Sequence, residues 1–103
     1  MCNYTVLAQN NHGIVRWCHG CEAFHLAYNN ITMNLKPKAF EQFKCNLEDC
    51  YYDNIEKARP KYRNIIFDTP IDGINLIFTH AEVGDFLALV QDATLAVYPL
   101  VGM

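Results

Sequence analysis

A chain of 103 residues, 51% hydrophobic and 18% charged, holds enough apolar material for one core, so neither a second domain nor wholesale disorder is expected. Eight Lys and Arg against eleven Asp and Glu leave a net charge of −3, which gives no global attraction to nucleic acid or to an anionic membrane. The first residues, Met1-Cys2-Asn3-Tyr4-Thr5-Val6, lack a basic region and a long apolar run, and no segment approaches the roughly 20 apolar residues of a membrane span, so a single cytoplasmic domain over residues 1–103 is expected.

In chain order, Tyr4 to Gln9 reads as a strand, stopped by the turn residues Asn10-Asn11-His12-Gly13. Ile14 to Trp17 leads into Cys18-His19-Gly20-Cys21. Glu22 to Tyr28 then alternates, with Phe24, Leu26 and Tyr28 on the core side and His25 on the other. Asn29-Asn30 can take the positive φ of a two-residue turn, and Ile31, Met33 and Leu35 alternate behind it. Pro37 suits a first helical turn, and Phe40, Phe43, Leu47 and Cys50 draw one apolar stripe on a helix ending near Tyr51 or Tyr52.

Asp53 to Lys61 has no period and reads as a connecting loop. Tyr62 to Asp68 reads as a strand, Thr69 to Gly73 as a turn, and Ile74, Leu76 and Phe78 as the inward face of another strand. Thr79-His80-Ala81-Glu82 has the form of a capping box, opening a second helix with core stripe Val83, Phe86, Leu87, Val90 and Val97, stopped by Pro99 and Gly102. At a shift of 43 residues Phe40, Phe43 and Leu47 align with Val83, Phe86 and Val90, which suggests a pseudo-repeat of two strand-strand-helix units over about 14–52 and 62–98. The expected fold is α+β: one antiparallel sheet of about five to six strands with both helices on one face.

Cys18-x-x-Cys21 between two strands has the form of half a zinc knuckle, and four-coordinate zinc would need two further ligands. Cys2 and His12, on the preceding strand and its turn, give the candidate metal set Cys2, His12, Cys18 and Cys21, with His19 and His25 as substitutes. The plainer alternative is a pair of small, partly buried cysteines, ordinary for this residue type. Cys45 and Cys50 are not a second pair, since five residues place their side chains about 140° apart around a helix. Five cysteines, an odd number, argue for thiols or a metal rather than a disulfide framework. Redox use of the CxxC is weakened by its position before a strand instead of at a helix N-terminus.

The remaining candidates read plainly. A Cys/His nucleophilic pair from Cys2 or Cys18 with any of His12, His19, His25 or His80 has no oxyanion device beside it in the sequence. His80 is expected in an exposed helical turn, and Trp17 in core or interface packing. Lys57 to Arg63 holds four of the eight basic residues, the one anion patch in the chain, and reads as a solvated loop. No GxxxxGK[ST], GxGxxG, HExxH or GxSxG occurs.

With Cys2, Cys18-x-x-Cys21, Phe24-His25-Leu26-Ala27-Tyr28, the Leu35, Phe40, Phe43 approach to the helix and the Thr69-Pro70-x-x-Gly73 turn, the chain resembles a small uncharacterised bacterial family, a domain of unknown function with an N-terminal CxxC. The resemblance implies that Cys18 and Cys21 belong to the family pattern and implies no activity. The functional expectation is therefore a non-catalytic interaction or regulatory module, stabilised by zinc if the knuckle is filled, with a small thiol-based redox protein or enzyme using Cys18 or Cys21 as the alternative. A homodimer is expected from Leu89, Ala96, Leu100 and Val101, which extend the apolar arc of the second helix beyond its core stripe.

Overall fold

A computed structural model describes residues 3–57, 63–69 and 72–101, the last four of these by their backbone alone. The first third is an antiparallel meander of β1 (Tyr4–Gln9), β2 (Gly13–Cys18), β3 (Ala23–Tyr28) and β4 (Ile31–Leu35) in that spatial order. The alternation in these strands sends Val15, Trp17, Phe24, Leu26 and Tyr28 to one face, where all are buried. Register slips once, between Val6 and Ala8, so that Leu7 is the extra residue of a bulge. Asn29, at φ 52, supplies the positive dihedral of the β3–β4 turn.

Helix α1 (Pro37–Asp53) buries Phe40, Phe43 and Leu47, Phe40 meeting Phe24 of β3 and Phe43 meeting Phe67 and Phe86, with Cys50 partly buried beside them and Cys45 exposed. Phe40 stacks on Phe24 at 3.8 Å between ring centroids. Helix α2 (His80–Val101) packs on β1, β2 and α1, and its stripe Val83, Phe86, Leu87, Val90 and Val97 is buried in the same cluster. Both helices thus cover one face of the four-stranded sheet. Gly13 permits that approach: a Cβ there would collide with the Ala27 carbonyl oxygen and press on Leu89 Cδ2.

The expected capping box forms in both directions. Glu82 N–H donates to Thr79 Oγ1 at 3.0 Å, and Thr79 N–H donates to Glu82 Oε1 at 2.8 Å. Trp17 packs edge-on to Phe24 inside the core, as expected.

Several expectations are corrected. The described strands do not form one sheet of five to six strands: β5 (Ile65–Asp68) and β6 (Asn75–Phe78) make a separate two-stranded sheet. The pseudo-repeat is not matched either. The second hairpin has four-residue strands that pair only with each other, and α2, at 22 residues against 17 for α1, packs on β1 and β2, which have no counterpart in the second half. Helix α2 also runs through Pro99 to Val101; a proline in the last turn removes one hydrogen bond without ending the helix. His80 is buried, not solvated: it stacks on Tyr51 at 4.3 Å and its Nε2 donates to the Tyr51 carbonyl at 2.9 Å. Leu89 is 2% exposed within the single chain, whereas Ala96 of the same arc is exposed and the side chains of Leu100 and Val101 lie outside what is described. Ala58 to Tyr62, most of the basic run, and Gly102 lie outside the described residues.

Candidate metal centre

The β2–β3 connection is a four-residue turn, His19 to Glu22, closed by the Cys18–Ala23 pair. Inside it Cys21 N–H donates to Cys18 Sγ at 3.2 Å, a bond that favours negative charge on that sulfur. Glu22, immediately after Cys21, sits at φ 52, a left-handed conformation that costs a non-glycine residue free energy and bends the chain back toward β3. The turn is held from outside as well. Lys36 Nζ, from the residue capping α1, donates to the Cys21 carbonyl at 2.6 Å, and His19 N–H donates to the Asn3 carbonyl at 2.9 Å.

Strand alternation puts His25 on the outward face of β3, the face on which Cys18 leaves β2. The result is a cluster of Cys18, Cys21 and His25 whose ligand atoms all lie within 4.8 Å of one another. Tetrahedral zinc, with bonds of about 2.0 to 2.3 Å, needs ligand atoms roughly 3.5 to 3.8 Å apart, so contraction of about 1 Å fits the group. Cys18 is fully buried, His25 partly so, and Cys21 is exposed. These three residues could hold a metal ion.

Among the residues singled out from the sequence, Cys18 and Cys21 are brought together and His12 is not brought to them. His12 precedes β2 and Cys18 ends it, a separation of roughly 20 Å along an extended strand. His19 is engaged elsewhere, with Nε2 2.7 Å from Thr5 Oγ1. Cys2 lies outside the described residues. His25 is the histidine that reaches the cysteines, and the signal for it was its position opposite Phe24 in the alternating strand.

His12 belongs to a second polar group at the other end of the sheet, which the sequence reading missed. Asp85 Oδ2 accepts from Tyr28 hydroxyl at 2.9 Å and lies 3.2 Å from His12 Nδ1, while Oδ1 accepts from Asn10 Nδ2 at 3.2 Å. Beside it Arg63 forms a two-pronged pair with Glu82 at 3.1 and 3.0 Å. Burial and then the bond to Asp85 hold the Tyr28 hydroxyl protonated well above the ordinary tyrosine range. Burial by itself would raise Glu82, but the bonds from Arg63 and Thr79 outweigh it and hold the carboxyl below its usual value. Together His12, Tyr28, Asn29, Arg63, Glu82 and Asp85 edge an open cavity of about 530 Å³. The contacts that meet on Asp85 join residues 57 to 75 positions apart, so no local pattern announces them.

Fold and cluster define an α+β domain of two antiparallel sheets and two helices, with a Cys–Cys–His group built on a β-turn. The chain belongs to a family of unknown function, DUF6686, whose pattern matches residues 1–102. Within it Cys18 and Cys21 stand in the β2–β3 turn, not at the N-terminus. No curated protein and no solved structure matches the chain. Among the described residues no helix is long and apolar enough to cross a membrane.

Proposed function

We propose that this domain is a non-catalytic interaction or regulatory module whose sheet is locked by a structural zinc ion on Cys18, Cys21 and His25, with Cys2 as the fourth ligand. The observation that carries the reading is the turn itself: an N–H to sulfur bond from Cys21 to Cys18, a left-handed Glu22 and a histidine ligand atom within 4.8 Å of both sulfurs. Zinc sites of this kind join segments that the chain alone would hold loosely, and the binding free energy is then folding free energy. Cys2 enters by sequence, because its neighbour Asn3 is hydrogen-bonded to His19 of the turn. Thiolate ligands call for a reducing compartment, which fits a cytoplasmic protein.

Protein purified without added metal is expected to carry about one zinc per chain by elemental analysis, and Cys18→Ser is expected to lose both the metal and several degrees of melting temperature. Metal-free protein whose melting temperature Cys18→Ser does not change would end this reading.

A thiol-based redox role is the second reading, favoured by one feature: an exposed Cys21 beside a buried Cys18 resembles an attacking and a resolving thiol. Turnover of a small disulfide substrate that depends on Cys21, in protein without metal, would select it.

A further inference from the structure

His12 and Arg63 line the same open cavity of about 530 Å³, a volume in the range of small-molecule sites. Their side chains are 59% and 64% exposed, so both reach solvent. Each is held by a carboxylate of α2, His12 by Asp85 and Arg63 by Glu82. Residues three apart on a helix are neighbours, with Cβ atoms about 5 to 6 Å apart, so the two held side chains stand next to each other along one turn.

The carboxylates themselves are already engaged. Glu82 Oε1 accepts from Thr79 N–H and Arg63 Nε, and Oε2 accepts from Arg63 Nη2 and Asn29 Nδ2. Asp85 Oδ1 accepts from Asn10 Nδ2, while Oδ2 accepts from the Tyr28 hydroxyl and faces His12 Nδ1. A metal cation or an amine would have to displace these donors. What the cavity offers a ligand is nitrogen. Arg63 pairs side-on with Glu82 through Nε and Nη2, which leaves the Nη1–Nη2 end of its planar fork for a second two-oxygen partner. His12, with Nδ1 turned to Asp85, keeps Nε2 for the cavity. Its backbone is fixed on both sides: Asn10 Oδ1 accepts from His12 N–H and Gly13 N–H, each at 2.9 Å, and the His12 carbonyl accepts from Asn29 N–H at 2.7 Å. Nitrogen groups pre-set in this way lose little freedom when a ligand arrives.

We propose that this cavity binds the phosphate group of a small phosphate monoester, with two phosphoryl oxygens on the open end of the Arg63 fork and a third sharing one proton with His12 Nε2. A monoester has a second pKa of about 6, so near neutral pH the shared proton rests on the phosphoryl oxygen or on the imidazole, and either form makes the bond. A carboxylate has only two oxygens and would leave His12 without a partner. The site uses none of the residues of the candidate metal centre and does not depend on zinc.

The test is a titration of the full-length protein with inorganic phosphate, near neutral pH and at constant ionic strength, followed by the NMR shifts of the backbone amides and of the His12 ring. Shifts should centre on His12, Asn29 and Glu82 and saturate at roughly millimolar phosphate, as suits an ion of so few atoms. Arg63→Lys, which keeps the charge and loses the fork, and His12→Gln should each weaken phosphate about tenfold. Arg63→Gln should abolish saturation, and the lysine form retains a cation for Glu82 should the glutamine form not fold. Sulfate, which carries no proton to share, and acetate should each bind about tenfold more weakly than phosphate. Shifts that climb without saturating, or that saturate in Arg63→Lys as readily as in the parent, would overturn the site. Sulfate or acetate as tight as phosphate, or undiminished binding to His12→Gln, would overturn the shared proton and with it the choice of a phosphate monoester.

Discussion

The hydroxyl of Tyr28, on a side chain 2% exposed, donates to Asp85 Oδ2 at 2.9 Å and so ties the last residue of β3 to the first turns of α2. The same ring lies parallel to Phe86 at 4.5 Å, so a single residue contributes an apolar face and a polar tip to the sheet–helix contact. Tyr28→Phe keeps the stacking and removes the bond to a charged acceptor, and unfolding by denaturant should show a loss of about 1.5 to 3 kcal/mol. The pH dependence has a fixed sign. Because the folded state raises the tyrosine above its ordinary value of 10.0, the parent's stability is whole below that pH and falls as the pH climbs beyond it. Tyr28→Phe should flatten this alkaline limb; an alkaline limb as steep as the parent's would show that another group titrates there.

Glu22 holds a left-handed conformation at φ 52 that glycine adopts freely. Glu22→Gly should therefore raise stability by about 0.5 kcal/mol, the relief of strain exceeding the added freedom of the unfolded chain, and Glu22→Val should lower it by about 1 to 2 kcal/mol. Thermal melts of the two variants moving in the same direction would contradict the turn geometry.

His25 lies within β3 near Cys18 and Cys21, whereas His12 precedes β2 at the far end of the sheet, and zinc binding should tell them apart. His25→Gln should weaken zinc binding at least about tenfold, as loss of a direct ligand must, while His12→Gln should leave affinity unchanged. A chelator competition in which His12→Gln releases the metal would mean that the ligand set is the one expected from sequence.

Leu89 packs against the region of Gly13 and Ala27 inside one chain. Leu89→Glu should bury a carboxylate in that contact and cost at least about 3 kcal/mol, visible as a collapsed melting temperature. If light scattering instead shows a parent dimer falling to a stably folded monomer, Leu89 faces a second copy.

Much of the fold was legible locally, because strands and helices are specified by contacts between residues close in the chain. Flanking turn residues marked β1 and β2, period-two alternation marked β3 and β4, the Phe40, Phe43, Leu47 stripe marked α1, and Thr79 with Glu82 marked the start of α2. The Cys18 to Cys21 turn was legible for the same reason, being four consecutive residues. What local pattern could not supply was the partner of each surface. Apolar strand residues call for burial without saying which strand pairs with them, so β5 and β6 were read into a sheet they do not join. Nothing local shows that Gly13 lets α2 approach closely enough to bury Leu89, a residue beyond the core stripe read from its periodicity. That His25 and not His12 lies beside Cys18 and Cys21 follows from the pairing of β2 with β3, which sets His12 a full strand length from the β2–β3 turn. The convergence of Asn10, His12 and Tyr28 on Asp85 was decided by tertiary structure alone, since it joins side chains at least 57 residues apart through the docking of one helix on one sheet.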